Sequence, residues 1–113
     1  MHELSIVVNI LDVVEENAAR HNATVVHEIE MEVGELSGVE FDALSFAMEH
    51  APKSEMLKDV TFTIRRIQPV ARCNECDHPF ATNEYSTACP HCGSFKTEII
   101  RGNELRIKSF NMD

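Results

Sequence analysis

Cys73-Asn74-Glu75-Cys76 and Cys89-Pro90-His91-Cys92 are two Cys-x-x-Cys turns separated by twelve residues, and they hold all four cysteines of the 113-residue chain. Each turn presents two sulfurs from one tight knuckle, and two knuckles joined by a short hairpin complete the tetrahedral shell that zinc prefers. Four thiolates leave no position for water or substrate, so the spacing predicts a structural four-cysteine zinc ribbon rather than a catalytic metal. Iron in a rubredoxin-like site uses the same sulfur geometry, and disulfide or redox use of the cysteines is the other alternative. His78 follows the first knuckle and His91 lies inside the second. Either could stand in for a cysteine under some condition, but with the shell full the plainer reading is two solvent-facing loop histidines.

Outward from the ribbon, the flanking segments read as strands. Before it, Val60, Phe62 and Ile64 alternate with Thr61, Thr63 and Arg65, and Pro69 marks the exit; after it, Leu105 and Ile107 alternate with Arg106 and Lys108. A further strand spans Val25 to Leu36, with Val25, His27, Ile29, Met31 and Val33 on one face and Glu28, Glu30 and Glu32 on the other. His27 is then a core or sheet-end histidine, and the basic residues of the other two strands are placed to pair with the glutamate row.

Two helices complete the pattern. Leu4, Val7, Val8, Leu11, Val14 and Ala18 predict an inward stripe on a helix from about residue 3 to Asn22, which Ile6, Ile10 and Val13 widen. Ser37-Gly38-Val39-Glu40 has the form of a capping box, so a second helix is expected to start at Ser37, bury Phe41, Leu44, Ala47, Met48 and Ala51, and stop before Pro52. The expected fold class is α+β: a three-stranded sheet covered on one face by two helices, with the four-cysteine zinc ribbon inserted between the last two strands. Residues 1–68 and 103–113 form one domain in this reading and 69–102 the ribbon, doubly tethered through Gln68-Pro69 and Arg101-Gly102-Asn103.

The formal net charge is −9, and residues 1–50 hold eleven acidic side chains against one basic residue, Arg20. A phosphate backbone rewards the opposite distribution, so nucleic acid is a disfavoured partner despite a local group of Arg66, Arg72, Lys96 and Arg101 near the knuckles. The apolar run from Leu4 to Val14 has no basic leader and is broken by Asn9 and Asp12, which fits neither a signal peptide nor a membrane span. A cytoplasmic protein is expected, where thiols stay reduced for metal binding. There is no phosphate-binding glycine loop, so any nucleotide hydrolysis belongs to a partner, and no enzymatic activity is expected.

Met1-His2-Glu3 carries a second metal chemistry. His2 is bulky enough to protect Met1 from removal, which leaves a free amine beside the backbone nitrogen and ring of His2. These donors close adjoining chelate rings, with the Glu3 amide nitrogen in reach as a fourth, a nitrogen-rich tetragonal set suited to nickel(II) or copper(II). Affinity rises with pH as the donors lose protons, so protonation offers a release step. Taken alone, a histidine at position two is an ordinary exposed terminus.

Met1-His2-Glu3-Leu4-Ser5, Val33-Gly34-Glu35-Leu36-Ser37, the two knuckles and Gly102-Asn103-Glu104-Leu105-Arg106-Ile107 together resemble the HypA/HybF family, in order and over the whole chain. The resemblance implies a nickel metallochaperone for NiFe-hydrogenase maturation, serving urease as well in some bacteria. It implies His2 as nickel ligand with the Met1 amine and neighbouring backbone nitrogens, Glu3 as a residue that tunes nickel or contacts a partner, and structural zinc on Cys73, Cys76, Cys89 and Cys92. The implied partners are the nickel-handling GTPase HypB, the hydrogenase large subunit and urease accessory proteins. The first knuckle lacks the glycine that follows Cys92, which leaves its turn geometry open. A protein- or nucleic-acid-binding zinc ribbon and a rubredoxin-like electron carrier with iron in the cysteine site are the competing readings.

Overall fold

The computed structural model describes residues 2–85 and 87–113; the Met1 amine lies outside them. Helix α1 (Glu3–Arg20) buries Val7, Ile10, Leu11, Val14 and Ala18. Ile10 thus belongs to the inner stripe, whereas Leu4 and Val8, expected there, are 54% and 38% exposed. They flank the stripe in the first turns. The helix stops where Asn22 takes a left-handed φ of 59°: Ala23 N–H bonds the Ala18 carbonyl at 2.9 Å and Asn22 N–H that of Ala19 at 3.0 Å. That pair of bonds satisfies carbonyls that would otherwise be orphaned at the helix end.

Strand β1 (Val26–Gly34) is central in a three-stranded sheet flanked by β2 (Thr61–Ile67) and β6 (Leu105–Met112). Val26, Ile29, Met31 and Val33 are its buried apolar residues. Glu30 on the other face lies 3.8 Å from Arg65 and 3.6 Å from Lys108, and Thr63 donates to Glu28 at 3.2 Å. Alternation fails at the start of β1: Val26 is buried and His27 is exposed, its Nε2 2.7 Å from Asp113 Oδ2. His27 is therefore a sheet-end residue, not a core one. The local cause is Asp113, whose carbonyl accepts the Thr24 and Val25 N–H groups and whose own N–H bonds the Val25 carbonyl.

Helix α2 (Phe41–His50) packs on α1 and buries Leu44, Ala47 and Met48. It starts four residues later than expected. Its N-cap is Glu40, whose carboxylate accepts Asp42 N–H at 3.2 Å and Ala43 N–H at 2.7 Å. Ser37 instead closes a turn on the Gly34 carbonyl, and Gly38 follows with φ 85°. A single 3-10 turn at Glu55–Leu57 leads to β2.

The second sheet has the order β4-β3-β5, from β3 (Val70–Cys73), β4 (Pro79–Ala81) and β5 (Thr97–Arg101), and both pairings are antiparallel. Ala71 lies opposite Phe80 on one side and Ile99 on the other. With Cys73 and Cys89 these form the small core of this region. By contact density the chain divides into two units, Met1–Met31 with Val39–Arg65 and Arg106–Asp113, and Glu32–Gly38 with Arg66–Leu105.

Within the second unit, Gly34 N–H bonds the Glu104 carbonyl and Leu36 N–H that of Gly102, each at 2.7 Å. A Cβ on Gly34 would sit 2.0 Å from the Gly102 carbonyl oxygen, so only glycine permits this approach.

Candidate metal centre and amino-terminal site

The two knuckles have matching backbones. Asp77 N–H bonds Cys73 O at 2.9 Å and Gly93 N–H bonds Cys89 O at 2.8 Å; Cys73 N–H bonds His78 O at 3.1 Å and Cys89 N–H bonds Ser94 O at 2.8 Å. The residue after each knuckle is left-handed, with φ 59° at Asp77 and 76° at Gly93. Aspartate is among the few non-glycine residues that visit this region readily, so the missing glycine leaves the turn intact.

These turns bring all four sulfurs within 4.8 Å of one another, with Cys73 and Cys89 buried and Cys76 and Cys92 exposed. Cys73 and Cys92 Sγ are 3.5 Å apart, and Cys76 and Cys89 Sγ 3.7 Å. A tetrahedral ion with bonds of about 2.3 Å to sulfur has ligand edges of about 3.8 Å, so the cluster fits a zinc-sized ion. The Cys76 N–H, directed at Cys73 Sγ, lowers the Cys73 thiol to about 7. Burial raises the Cys76 thiol to about 12. Among the described residues, these four cysteines are the group of ligand side chains that converges in this way.

His78 and His91 are exposed and stack on each other, ring centroids 4.5 Å apart and nearly parallel. The basic residues near the knuckles face carboxylates: Arg72 is 3.6 Å from Asp77, Lys96 3.6 Å from Glu75 and Arg66 3.6 Å from Glu35. Carboxylates thus face three of the four cations of that group, which weakens it as a phosphate-binding surface.

At the other end of the chain, His2 is the N-cap of α1, in extended conformation with φ −92° and ψ 94°. It is exposed, its ring makes no capping hydrogen bond, and its carbonyl accepts Ile6 N–H at 3.3 Å. The Glu3 carboxylate accepts Glu40 N–H at 3.1 Å, and this bond is the main cause that lowers its pKa from the ordinary glutamate value. One carboxylate thus ties the start of α1 to the residue that caps α2. His2, Glu3 and Leu4 face Phe46, His50 and Pro52 across an open groove of about 610 Å³. Sequence reasoning read Glu40 only as part of a capping box and missed Phe46 and His50; the available signal was a phenylalanine on α2 one position off its apolar stripe.

An α+β fold carrying an inserted four-cysteine ribbon defines a small metal-binding protein built around a closed sulfur shell. A family model described as "Hydrogenase/urease nickel incorporation, metallochaperone, hypA" matches residues 1–112. The chain belongs to this HypA family. It is 43% identical over 109 residues to a protein of Parabacteroides distasonis named hydrogenase maturation factor HypA, covering 96% of this chain and 95% of that one. It is 36% identical over 113 residues to the protein of the same name from Chlorobium phaeobacteroides, covering all of both. The solution structure of the Ni metallochaperone HypA from Helicobacter pylori superposes with a TM-score of 0.69 at 29% identity, over 99% of this chain and 97% of that one.

Proposed function

We propose that the protein binds Ni(II) at its amino terminus and delivers it for NiFe-hydrogenase maturation, with urease as a further destination. His2 is the side-chain ligand, and the Met1 amine and the backbone nitrogens of His2 and Glu3 complete the set. The observation that carries this reading is the placement of His2 and Glu3 at the N-cap and first position of α1. Amides in the first turn have no partner within a helix, so a metal can deprotonate them without breaking the helical ladder. The positive end of the helix dipole favours the anionic nitrogens that result. The exposed ring of His2 is free to rotate onto the same ion.

Cys73, Cys76, Cys89 and Cys92 hold structural zinc, which when bound supplies a fixed tetrahedral crosslink and no open coordination position. Residues 1–68 and 103–113 act as the nickel domain and 69–102 as the zinc domain. The protein works in the cytoplasm as a carrier rather than an enzyme, with HypB and the hydrogenase large subunit as partners. Among the described residues, no helix is long and apolar enough to cross a membrane.

The test is nickel and zinc stoichiometry on untagged protein. His2→Ala removes the dissociable nickel equivalent and keeps zinc, and residues added before Met1 do the same. A His2→Ala protein that binds nickel with unchanged affinity and spectrum defeats the proposal.

A further inference from the structure

We infer that the groove between the start of α1 and α2 is the docking site for a cationic amphipathic segment of a partner protein. Ala43, Phe46, Ala47 and His50 line it from α2 at the i, i+3, i+4, i+7 spacing of one helix face. Phe46 is 64% exposed and Leu4 opposite is 54% exposed, so each side of the groove holds a large apolar side chain in water. Core packing accounts for neither. Val8, one turn along α1 from Leu4, extends the apolar strip.

The charge around this strip selects the occupant. Asp42 and Glu49 stand four residues before and three after Phe46, on the same side of α2. Neither forms an ion pair with a cation among the described residues, and the Glu3 carboxylate on the α1 side is bonded to a backbone N–H. The two helices contain one Lys or Arg between them, Arg20, which is paired with Glu16. Lys53, beyond Pro52, turns its ammonium onto the carbonyls of Glu49 and Ala51. An apolar floor with an acidic rim complements a segment whose leucine- or isoleucine-like ridge is bordered by Lys or Arg. A second copy of this chain would bring the same acidic rim and be repelled, as would an anionic membrane surface. Because the groove begins at His2, its use in metal delivery rests on the nickel reading; the binding itself does not.

Fluorescence anisotropy on untagged, zinc-loaded protein tests this with a labelled peptide of about 15 residues of Leu, Ala and Lys, its leucines at helix-face spacing. The expected result is saturable binding, weaker by about tenfold or more for a scrambled peptide of the same composition and for the peptide with Lys replaced by Glu. Phe46→Ser, which removes an exposed side chain and leaves the core untouched, weakens binding about tenfold. Asp42→Asn with Glu49→Gln weakens it and flattens its salt dependence. Equal binding of the scrambled peptide, or no effect of Phe46→Ser, overturns the proposal. So does concentration-dependent self-association that Phe46→Ser abolishes, which would assign the groove to a second copy. The two readings fail separately: a protein that loads nickel through His2 but ignores the peptide removes the docking site alone. One that binds the peptide in the groove but keeps nickel after His2→Ala removes the nickel site alone.

Discussion

Asp77 illustrates how much a single backbone angle decides in the metal region. It occupies the position that Gly93 fills in the second knuckle, with the same hydrogen bond back to the first cysteine of its turn. Its side chain faces Arg72 at 3.6 Å, but both groups are well exposed, so the pair contributes little. The conformation is what the residue supplies. Asp77→Gly is therefore expected to leave zinc affinity and melting temperature unchanged or slightly raised, whereas Asp77→Val, β-branched at positive φ, destabilises the zinc-loaded protein by about 1–2 kcal/mol. Thermal melts of the two variants with bound zinc check this, and equal melting temperatures would contradict it. The sequence left this turn open because the left-handed tolerance of aspartate is permissive, not a demand.

The start of α2 departs from its local signal for an instructive reason. Ser37-x-x-Glu40 is a valid local capping pattern, yet the segment before it is held by partners distant in the chain. Leu36 N–H bonds Gly102 O, Glu35 N–H bonds Ile67 O, and the Tyr85 hydroxyl donates to Leu36 O. Those bonds commit 34–38 to a turn, and Glu40 caps its own helix. Glu40→Ala removes acceptors for two first-turn amides and is expected to cost about 1 kcal/mol in denaturant unfolding. Glu40→Gln keeps an acceptor oxygen and loses less. If Ala and Gln prove equally harmless, the cap is not stabilising α2. Helix α1 tells the same story. Its existence and length were readable from the 3.6-residue period, but which edge of its broad apolar surface faced inward depended on where α2 lay against it.

For the molecule as a whole, the second unit is the one expected to depend most on metal. Its buried apolar cluster is Ala71, Cys73, Phe80 and Cys89 with Ile99 packed against it, and two of those five residues are candidate ligands. A core so small does not offset the entropy of ordering the surrounding chain without a crosslink. Removing zinc with a strong chelator is expected to collapse amide dispersion across residues 66–105 while α1 and α2 keep their signals. Loss of both regions together, or of neither, would refute this. The metal binds thiolates, so protons compete with it and affinity falls as pH falls. With the Cys76 thiol pushed to about 12 and the Cys92 thiol raised as well, an ion entering the shell at neutral pH would displace protons from both. Below about 7 it would have to displace one from Cys73 as well, so the expected loss of zinc steepens there. Chelator competition across mildly alkaline to mildly acid pH measures the slope; a flat profile contradicts it.

Features set by neighbours along the chain were legible in the residues themselves: the cysteine spacing and the periods of helix and strand. Each depends on a repeat or a spacing that closes within a few residues. Folding settled what depends on residues far apart. It bound Glu3 to Glu40, set Phe46 and His50 across a groove from His2, turned His27 out to Asp113, and pressed Gly34 against Gly102. No local periodicity encodes such pairs, because they arise from the packing of helices and the closing of strands rather than from the spacing of neighbours.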